Sequence, residues 1–509
     1  MWKVKTKYAL LLCLLSGCQL AMAGEADIEA KLEQMNQLLL QQQQDLLQQQ
    51  QEIKAQQEEL AEQRALILQL QRSLGQVMTT PGSPAPAEPT GHTAMAQATE
   101  AGTPDKDHAQ PGDGQLNSST MDDPSNTTYD PGFPGAWHLP GTTTAMKVGG
   151  YVNLSIVNSF DPLLIPDRFI VGSIPPKGQN VSGASSGTEV SASQTRLNFE
   201  FREQTRRGEV RAFLEGDFQG DGDTFRLRHA FGQFNWALGG KTWSTLMDID
   251  SRPEEVDVEG INGEILIRNS QVRIFPQIGK KFKFKIALED PSTDVINGQS
   301  ERGRADLVAS FGYMPLGPFG RWNSRLGLIV RDLQASETNF DPENTQSRQD
   351  SATGWGLTTG GRKPLAWWGE KDFLLWQITY GKGIGHYIND LGSIGGGDAV
   401  FDPAGKLHAL PVFAGYVSYQ HQWPLDMWFL KSWPGILRSN ATLSWVNIDN
   451  FNFQDDGDYA STLRASINLI YVPAHDVTIG TELLWGERKN KGGSKGTATQ
   501  LQVSLRYSF

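Results

Sequence analysis

From Met146 to the C-terminus the chain alternates between polar and apolar residues. Lys281-Phe282-Lys283-Phe284-Lys285-Ile286, Arg196-Leu197-Asn198-Phe199-Glu200-Phe201-Arg202 and the terminal Gln500-Leu501-Gln502-Val503-Ser504-Leu505-Arg506-Tyr507-Ser508-Phe509 each put one kind of side chain on one face of an extended strand. About sixteen such segments occur, at roughly 146–158, 194–204, 208–219, 224–237, 240–249, 264–274, 280–289, 304–314, 319–332, 351–361, 370–381, 408–421, 435–447, 459–472, 475–486 and 498–509. Each is close to the length of a tilted strand that crosses a bilayer. Their apolar faces are too many for one two-sheet core to absorb, so residues 146–509 are expected to form an all-β transmembrane barrel of antiparallel strands.

The connections support this reading. Short turns, among them Thr205-Arg206-Arg207, Leu238-Gly239, Pro276-Gln277-Ile278-Gly279, Pro315-Leu316-Gly317-Pro318 and Pro473-Ala474, tend to alternate with longer polar loops. Short periplasmic turns and long external loops give that asymmetry. Trp367, Trp368, Trp423, Trp428 and Trp433 fall at turn-side ends, where an aromatic girdle is expected and where ordinary capping aromatics are the alternative.

The pattern ahead of the barrel is different. From Ile28 to Leu74 a heptad runs unbroken, with Leu32, Leu39, Leu46, Ile53, Leu60, Ile67 and Leu74 at position a. Position d carries Ile28 and Met35, then Gln42, Gln49, Gln56 and Gln63, then Leu70. Buried glutamine layers cost stability unless partner amides satisfy them, and such layers fix register and oligomer state. Residues 24–78 are therefore expected to form a periplasmic α-helical coiled coil, parallel and homo-oligomeric, with a trimer favoured over a dimer. Residues 79–145 turn to Pro, Gly, Ser and Thr, a composition that cannot bury enough surface to order itself, and read as a disordered linker.

Lys3, Lys5 and Lys7 precede the apolar run Tyr8 to Leu15, the layout of an export signal over residues 1–23. Cleavage after Ala21-Met22-Ala23 competes with lipidation at Cys18, since Leu15-Ser16-Gly17-Cys18 resembles a lipobox. Cys13 and Cys18 are the only cysteines, so cleavage after Ala23 leaves no thiol chemistry. The net charge of −12 argues against a nucleic-acid partner. Outside the N-terminus no run is apolar enough for a spanning helix.

No catalytic centre, cofactor or metal site is expected. Gly183-Ala184-Ser185-Ser186-Gly187 fits a hydrolase elbow pattern but lies in a Gly/Ser loop with no helix after it. Gly381-Lys382-Gly383-Ile384-Gly385 lacks phosphate-loop spacing. Asp217, Asp221 and Asp223, like Asp455, Asp456 and Asp458, lack the bidentate glutamate of a calcium loop and read as solvated turns. The eight histidines are scattered.

In a barrel the chemistry lies in charged side chains that replace part of a solute's hydration. Strand parity puts Arg196, Arg202, Arg211, Lys281, Lys283, Lys285, Arg321 and Arg325 on the polar, pore-lining face. Arg226 and Arg228 join them, although Ala230, Gly232 and Phe234 continue the same parity as apolar residues, which calls for a bulge. The connection from Asp248 to Glu264 carries Asp250, Glu254, Glu255, Asp257 and Glu259. Folded inward, it would set an acidic wall against a basic one and create a transverse field; left outside, it is a solvated loop. Any single arginine has a structural alternative as an ion pair within the wall.

Signal, coiled coil, linker and a barrel ending on Phe509 together resemble the DcaP-like trimeric porins of Gram-negative outer membranes. The local match is Gly220-Asp221-Gly222-Asp223-Thr224-Phe225-Arg226-Leu227-Arg228-His229-Ala230-Phe231, followed by Gly240-Lys241-Thr242-Trp243-Ser244-Thr245. The resemblance implies a sixteen-stranded barrel in the outer membrane, a homotrimer, a periplasmic coiled coil, and passage of small hydrophilic solutes, often anionic or dicarboxylic. Phe509 resembles the end signal read by the barrel-assembly machinery. The competing reading is a plugged structural anchor that tethers through its coiled coil.

Overall fold

The computed structural model describes residue 133 and residues 135–509, except 178–180, 182, 221, 280, 318–319, 338–347, 366–370, 395–396 and 426–433. The export signal, the coiled coil with its Gln42, Gln49, Gln56 and Gln63 layers, and nearly all of the linker lie outside the described residues.

Sixteen antiparallel strands close into a barrel. They are β1 Ala145–Leu163, β2 Arg196–Thr205, β3 Gly208–Gly220, β4 Thr224–Phe234, β5 Ala237–Trp243, β6 Arg268–Ile274, β7 Phe282–Glu289 and β8 Asp306–Tyr313. The second half comprises β9 Asn323–Glu337, β10 Gln349–Leu365, β11 Asp372–Lys382, β12 Pro411–Trp423, β13 Ile436–Ile448, β14 Tyr459–Ala474, β15 Val477–Asn490 and β16 Lys495–Ser508. Closure comes from β1, which pairs with β16 from Tyr151↔Ser508 to Ser159↔Gln500 and with β2 from Ala145↔Arg202 to Tyr151↔Arg196. The Phe509 backbone exchanges hydrogen bonds with Gly150, at 3.1 and 3.2 Å, and so completes the seam. Closure gives each wall strand a neighbour on both sides, as strands in hydrocarbon require.

The alternation sorts by face as the pattern anticipates. Leu326, Leu328 and Val330 on β9, or Leu501, Leu505 and Tyr507 on β16, are exposed outward, whereas Arg325, Arg331, Gln502 and Arg506 are buried inside. Trp423 is exposed at the lower end of β12 and donates to Ser439 Oγ. Trp367, Trp368, Trp428 and Trp433 lie outside the described residues.

Several boundaries differ from the sequence reading. The β4–β5 turn is Asn235-Trp236 rather than Leu238-Gly239; Asn235 takes a φ of 51°, which asparagine tolerates, while Leu238 packs inward with Phe213, Phe231 and Phe275. Likewise, β14 runs through Ala474 and turns at His475-Asp476. Strand β5 ends at Trp243 instead of Ile249, and β6 begins at Arg268 instead of Glu264. The chain leaves the wall after Trp243, and Ser244, Thr245, Leu246 and Met247 are all buried in the interior. The connection is thus 244–267, and it folds into the barrel.

It is not alone there. The 383–410 connection also enters, carrying Ile384, Tyr387, Ile388, Leu391, Val400 and Leu410 into one apolar cluster with Leu246, Met247 and Ile265. That cluster rests on inward Val308, Ile329, Val412, Ala414 and Val446. Inward wall residues Val308, Ile329, Val412, Ala414 and Val446 therefore face protein rather than an aqueous lumen. The glycine-rich 381–385 stretch marks the point of entry: Gly383 has a φ of 69°, and a Cβ there would stand 2.6 Å from Leu333 Cδ1.

Candidate functional site

The 244–267 loop is held by its root and by its tip. At the root, Arg325, 8% exposed, donates to the Met247 and Thr245 carbonyls and, at 3.1 Å, to Ser310 Oγ. At the tip, Arg438 Nε donates to Glu254 Oε2 at 2.8 Å. Arg464, 1% exposed, lies 2.8 Å from Glu255 and 3.3 Å from Asp257 and also reaches the Gly260 carbonyl. Glu482 accepts from the Val256 and Asp257 amides at 2.6 and 2.8 Å. Gly263 lets the loop lie flat on the wall: its φ is 77°, and a Cβ would stand 2.3 Å from Trp445 O.

These contacts divide the five acidic residues. Glu254, Glu255 and Asp257 turn to β13–β16 and are paired there with Arg438 and Arg464, so the structure does not set them opposite the basic strands. Asp250 is 3.6 Å from Lys283, and Glu259 is 3.5 Å from Arg168 and accepts from Ser393 at 2.6 Å. Burial raises the Glu259 carboxyl to about 7, despite the opposing pull of Arg168.

On the other side the basic residues gather. Register slips by one between Glu215↔His229 and Gly216↔Leu227, so Arg228 is the extra residue of a bulge. The slip keeps Arg226 and Arg228 inward and brings His229 and Phe231 inward after them. Arg226 grips Asp217 through two hydrogen bonds at 2.9 and 2.8 Å, and Arg228 donates to the same carboxylate at 2.6 Å. Asp217 is fully buried in this fork and is not a solvated turn residue.

A cavity opens beside them, lined by Arg168, Arg226, Arg228, Arg252, Arg268, Gln219, Trp243, Val258, Glu259, Leu266, Asn389 and Ser393. Of its charged lining residues only Glu259 is acidic. Arg252 is paired with Glu264 at 2.9 Å, and Arg268 lies over the Trp243 ring at 4.5 Å.

The remaining basic residues are spread along the wall. Arg196 is buried 3.8 Å from Glu215 and 5.3 Å from the Tyr151 ring. Arg202 and Arg211 both donate to Glu200 Oε1 at 2.7 Å, near the β2–β3 turn. Lys285 is buried inside β7, while Lys281 is exposed at its lower end. The side chain of Arg321 is outside those described. Arg168, Arg252 and Arg268 were not legible from strand parity, because two lie on loops and the third sits at the strand end where the chain turns inward. Among the described residues no three His, Cys, Asp or Glu side chains are grouped to hold a metal ion.

Comparison with known proteins agrees with this architecture. Residues 141–314 match the family model described as DcaP outer membrane protein. The crystal structure of the outer membrane channel DcaP of Acinetobacter baumannii superposes with a TM-score of 0.60 at 19% identity, covering 74% of this chain and 100% of that one. The anion-selective porin from Comamonas acidovorans gives 0.45 at 11% identity, covering 72% and 100%, and OprB of Pseudomonas putida gives 0.42 at 11%, covering 72% and 94%. Curated protein sequences return no match. By its family model over 141–314 and by its barrel, this chain is similar to the DcaP outer membrane proteins.

Proposed function

We propose that the chain is an outer-membrane diffusion channel for small hydrophilic solutes that prefers anions, dicarboxylates among them, and that it works as a homotrimer. One observation carries the reading: within a closed barrel half filled by two inserted loops, the remaining cavity is lined by Arg168, Arg226, Arg228, Arg252 and Arg268 against the single acidic residue Glu259. Glu254, Glu255 and Asp257 are held away from this cavity by Arg438 and Arg464, so arginines outnumber carboxylates in its lining even with Arg226 and Arg228 on Asp217 and Arg252 on Glu264. Guanidinium groups offer an anion paired donors in fixed geometry, and low-dielectric walls focus their field. Two carboxylates on one small solute could engage two of these groups in succession. The oligomer rests on the heptad of residues 28–74 and on the resemblance to trimeric porins.

The test is steady current through the purified full-length protein in planar bilayers. Discrete steps of constant conductance are expected, and a barrel that inserts yet passes no current would favour the plugged anchor. For the oligomer, deletion of residues 25–78 should lower the mass in mild detergent or weaken the assembly against heat. An unchanged trimer with unchanged heat resistance would mean that the barrel alone holds the assembly.

A further inference from the structure

Three carboxylates converge on one guanidinium at the tip of the 244–267 loop. Glu255 and Asp257 come from the loop, Arg464 from β14 and Glu482 from β15, and none of the four is more than 1% exposed. Arg464 lies 2.8 Å from Glu255 and 3.3 Å from Asp257. The neighbouring cations are already taken: Arg252, which also faces Glu255, holds Glu264 through hydrogen bonds of 2.9 to 3.2 Å, and Arg438 holds Glu254. Thr442 on β13, Ser466 on β14 and Gln502 on β16 reach the two loop acids as neutral donors. With every acid ionised, one cation would face three anions in a site closed to water.

A single proton relieves that excess, and the contacts show where it fits. Glu482 Oε2 accepts from the Val256 and Asp257 amides, but among the described residues no donor reaches its buried Oε1. The Glu255 and Glu482 carboxyls stand in hydrogen-bonding contact. Two ionised carboxylates are acceptors only and cannot make that bond, whereas a carboxyl and a carboxylate can. Burial, with the Glu482 charge beside it, holds the Glu255 carboxyl well above its ordinary range.

We propose that Glu255 and Glu482 share one proton, and that this proton latches the tip of the 244–267 loop onto β14 and β15 and lets it go as the solution turns alkaline. The proton is lost from the pair as a unit, because each acid raises the cost of ionising the other. Losing it strands a second negative charge beside Glu482, so the docked tip is destabilised as pH rises and held as pH falls. The Val256 and Asp257 amides, bonded to the same carboxylate, tie the loop backbone to the event. The consequence for permeation, a wider and noisier passage at alkaline pH, rests on the channel reading.

The test compares purified full-length wild type with Glu482→Gln. The amide keeps an acceptor for the two loop N–H groups and gives Glu255 a permanent donor, so it copies the protonated pair at every pH. Glu255→Gln, made in parallel, should behave alike, so the result does not hang on one variant folding. Thermolysin cleavage within residues 252–264 is measured in detergent from pH 7 to pH 9.5, and dividing wild type by variant at each pH cancels the protease's own pH dependence. The expected ratio is near one at pH 7 and rises several-fold by pH 9.5. Infrared spectra at pH 7 should show a protonated-carboxyl absorption in wild type that is reduced in Glu482→Gln. A ratio that stays at one, or a carboxyl absorption equal in both proteins, would overturn the proposal. Planar-bilayer current tests the channel reading separately: a rising ratio in a protein that passes no current at any pH would support the proton latch and remove only its role in permeation.

Discussion

Replacing Arg464 with methionine should release the tip of the 244–267 loop. Arg464 is 1% exposed, and its partners Glu255 and Asp257 are fully buried. Methionine keeps much of the volume but leaves two carboxylates, with Glu482 close behind them, in a site without their cation. Breaking a buried pair by deleting one partner costs about 3–5 kcal/mol, because the remaining charge is stranded. At about 1.4 kcal/mol per factor of ten, the docked-to-released ratio of the loop tip falls on the order of a hundred- to a thousand-fold. Arg325 still holds the root, so the barrel is expected to fold. Single-channel recording should show a larger and noisier conductance than wild type. The triple variant Arg464→Met, Glu255→Gln, Asp257→Asn should return much of the way, since no charge is then stranded. Wild-type conductance and noise in Arg464→Met would refute the latch.

Three further perturbations test other parts of the site. Arg226→Gln with Arg268→Gln removes two cavity charges while Arg228 still neutralises Asp217, and the reversal potential in a salt gradient should move toward cation preference; an unmoved potential would take both residues out of the pore. Burial holds the Glu259 carboxyl near 7, so it gains a proton as pH falls through that value; anion preference should rise from pH 8 to pH 6, and Glu259→Gln should flatten the profile. Because its folded value lies above the ordinary 4.5, the same group should weaken the fold as pH rises from about 4.5 to about 7, and urea midpoints across that range would show the sign. Gly263→Ala should cost about 1–2 kcal/mol from its left-handed backbone, with the approach to Trp445 O added, and should loosen the loop as measured by protease accessibility.

The period-two pattern was enough to place sixteen strands and to assign inward and outward faces, because a barrel wall writes its environment into every second residue. Its errors lie where alternation outlasts the wall. Thr242-Trp243-Ser244-Thr245-Leu246 still reads as a strand after the chain has turned into the lumen, since its β-favouring residues are buried there against protein rather than in the wall. The bulge at Arg228 was legible because a strand cannot place Arg226 and Phe234 on one face without a slip. The fate of Glu255 and Asp257 was not: their partner Arg464 is more than 200 residues away, and only folding brings the two together. The second inserted loop left one trace, the glycine-rich turn at 381–385, whose meaning depends on the Leu333 side chain beside it.

The central claim is that the open part of this barrel is a positively charged passage, and zero-current potential across a bilayer bathed in unequal concentrations of the same salt measures it directly. Purified protein should give a potential of the sign set by anion flux, larger at pH 6 than at pH 8. A potential of the opposite sign would contradict the account, since Arg168, Arg226, Arg228 and Arg268 could not then be what a permeating ion meets.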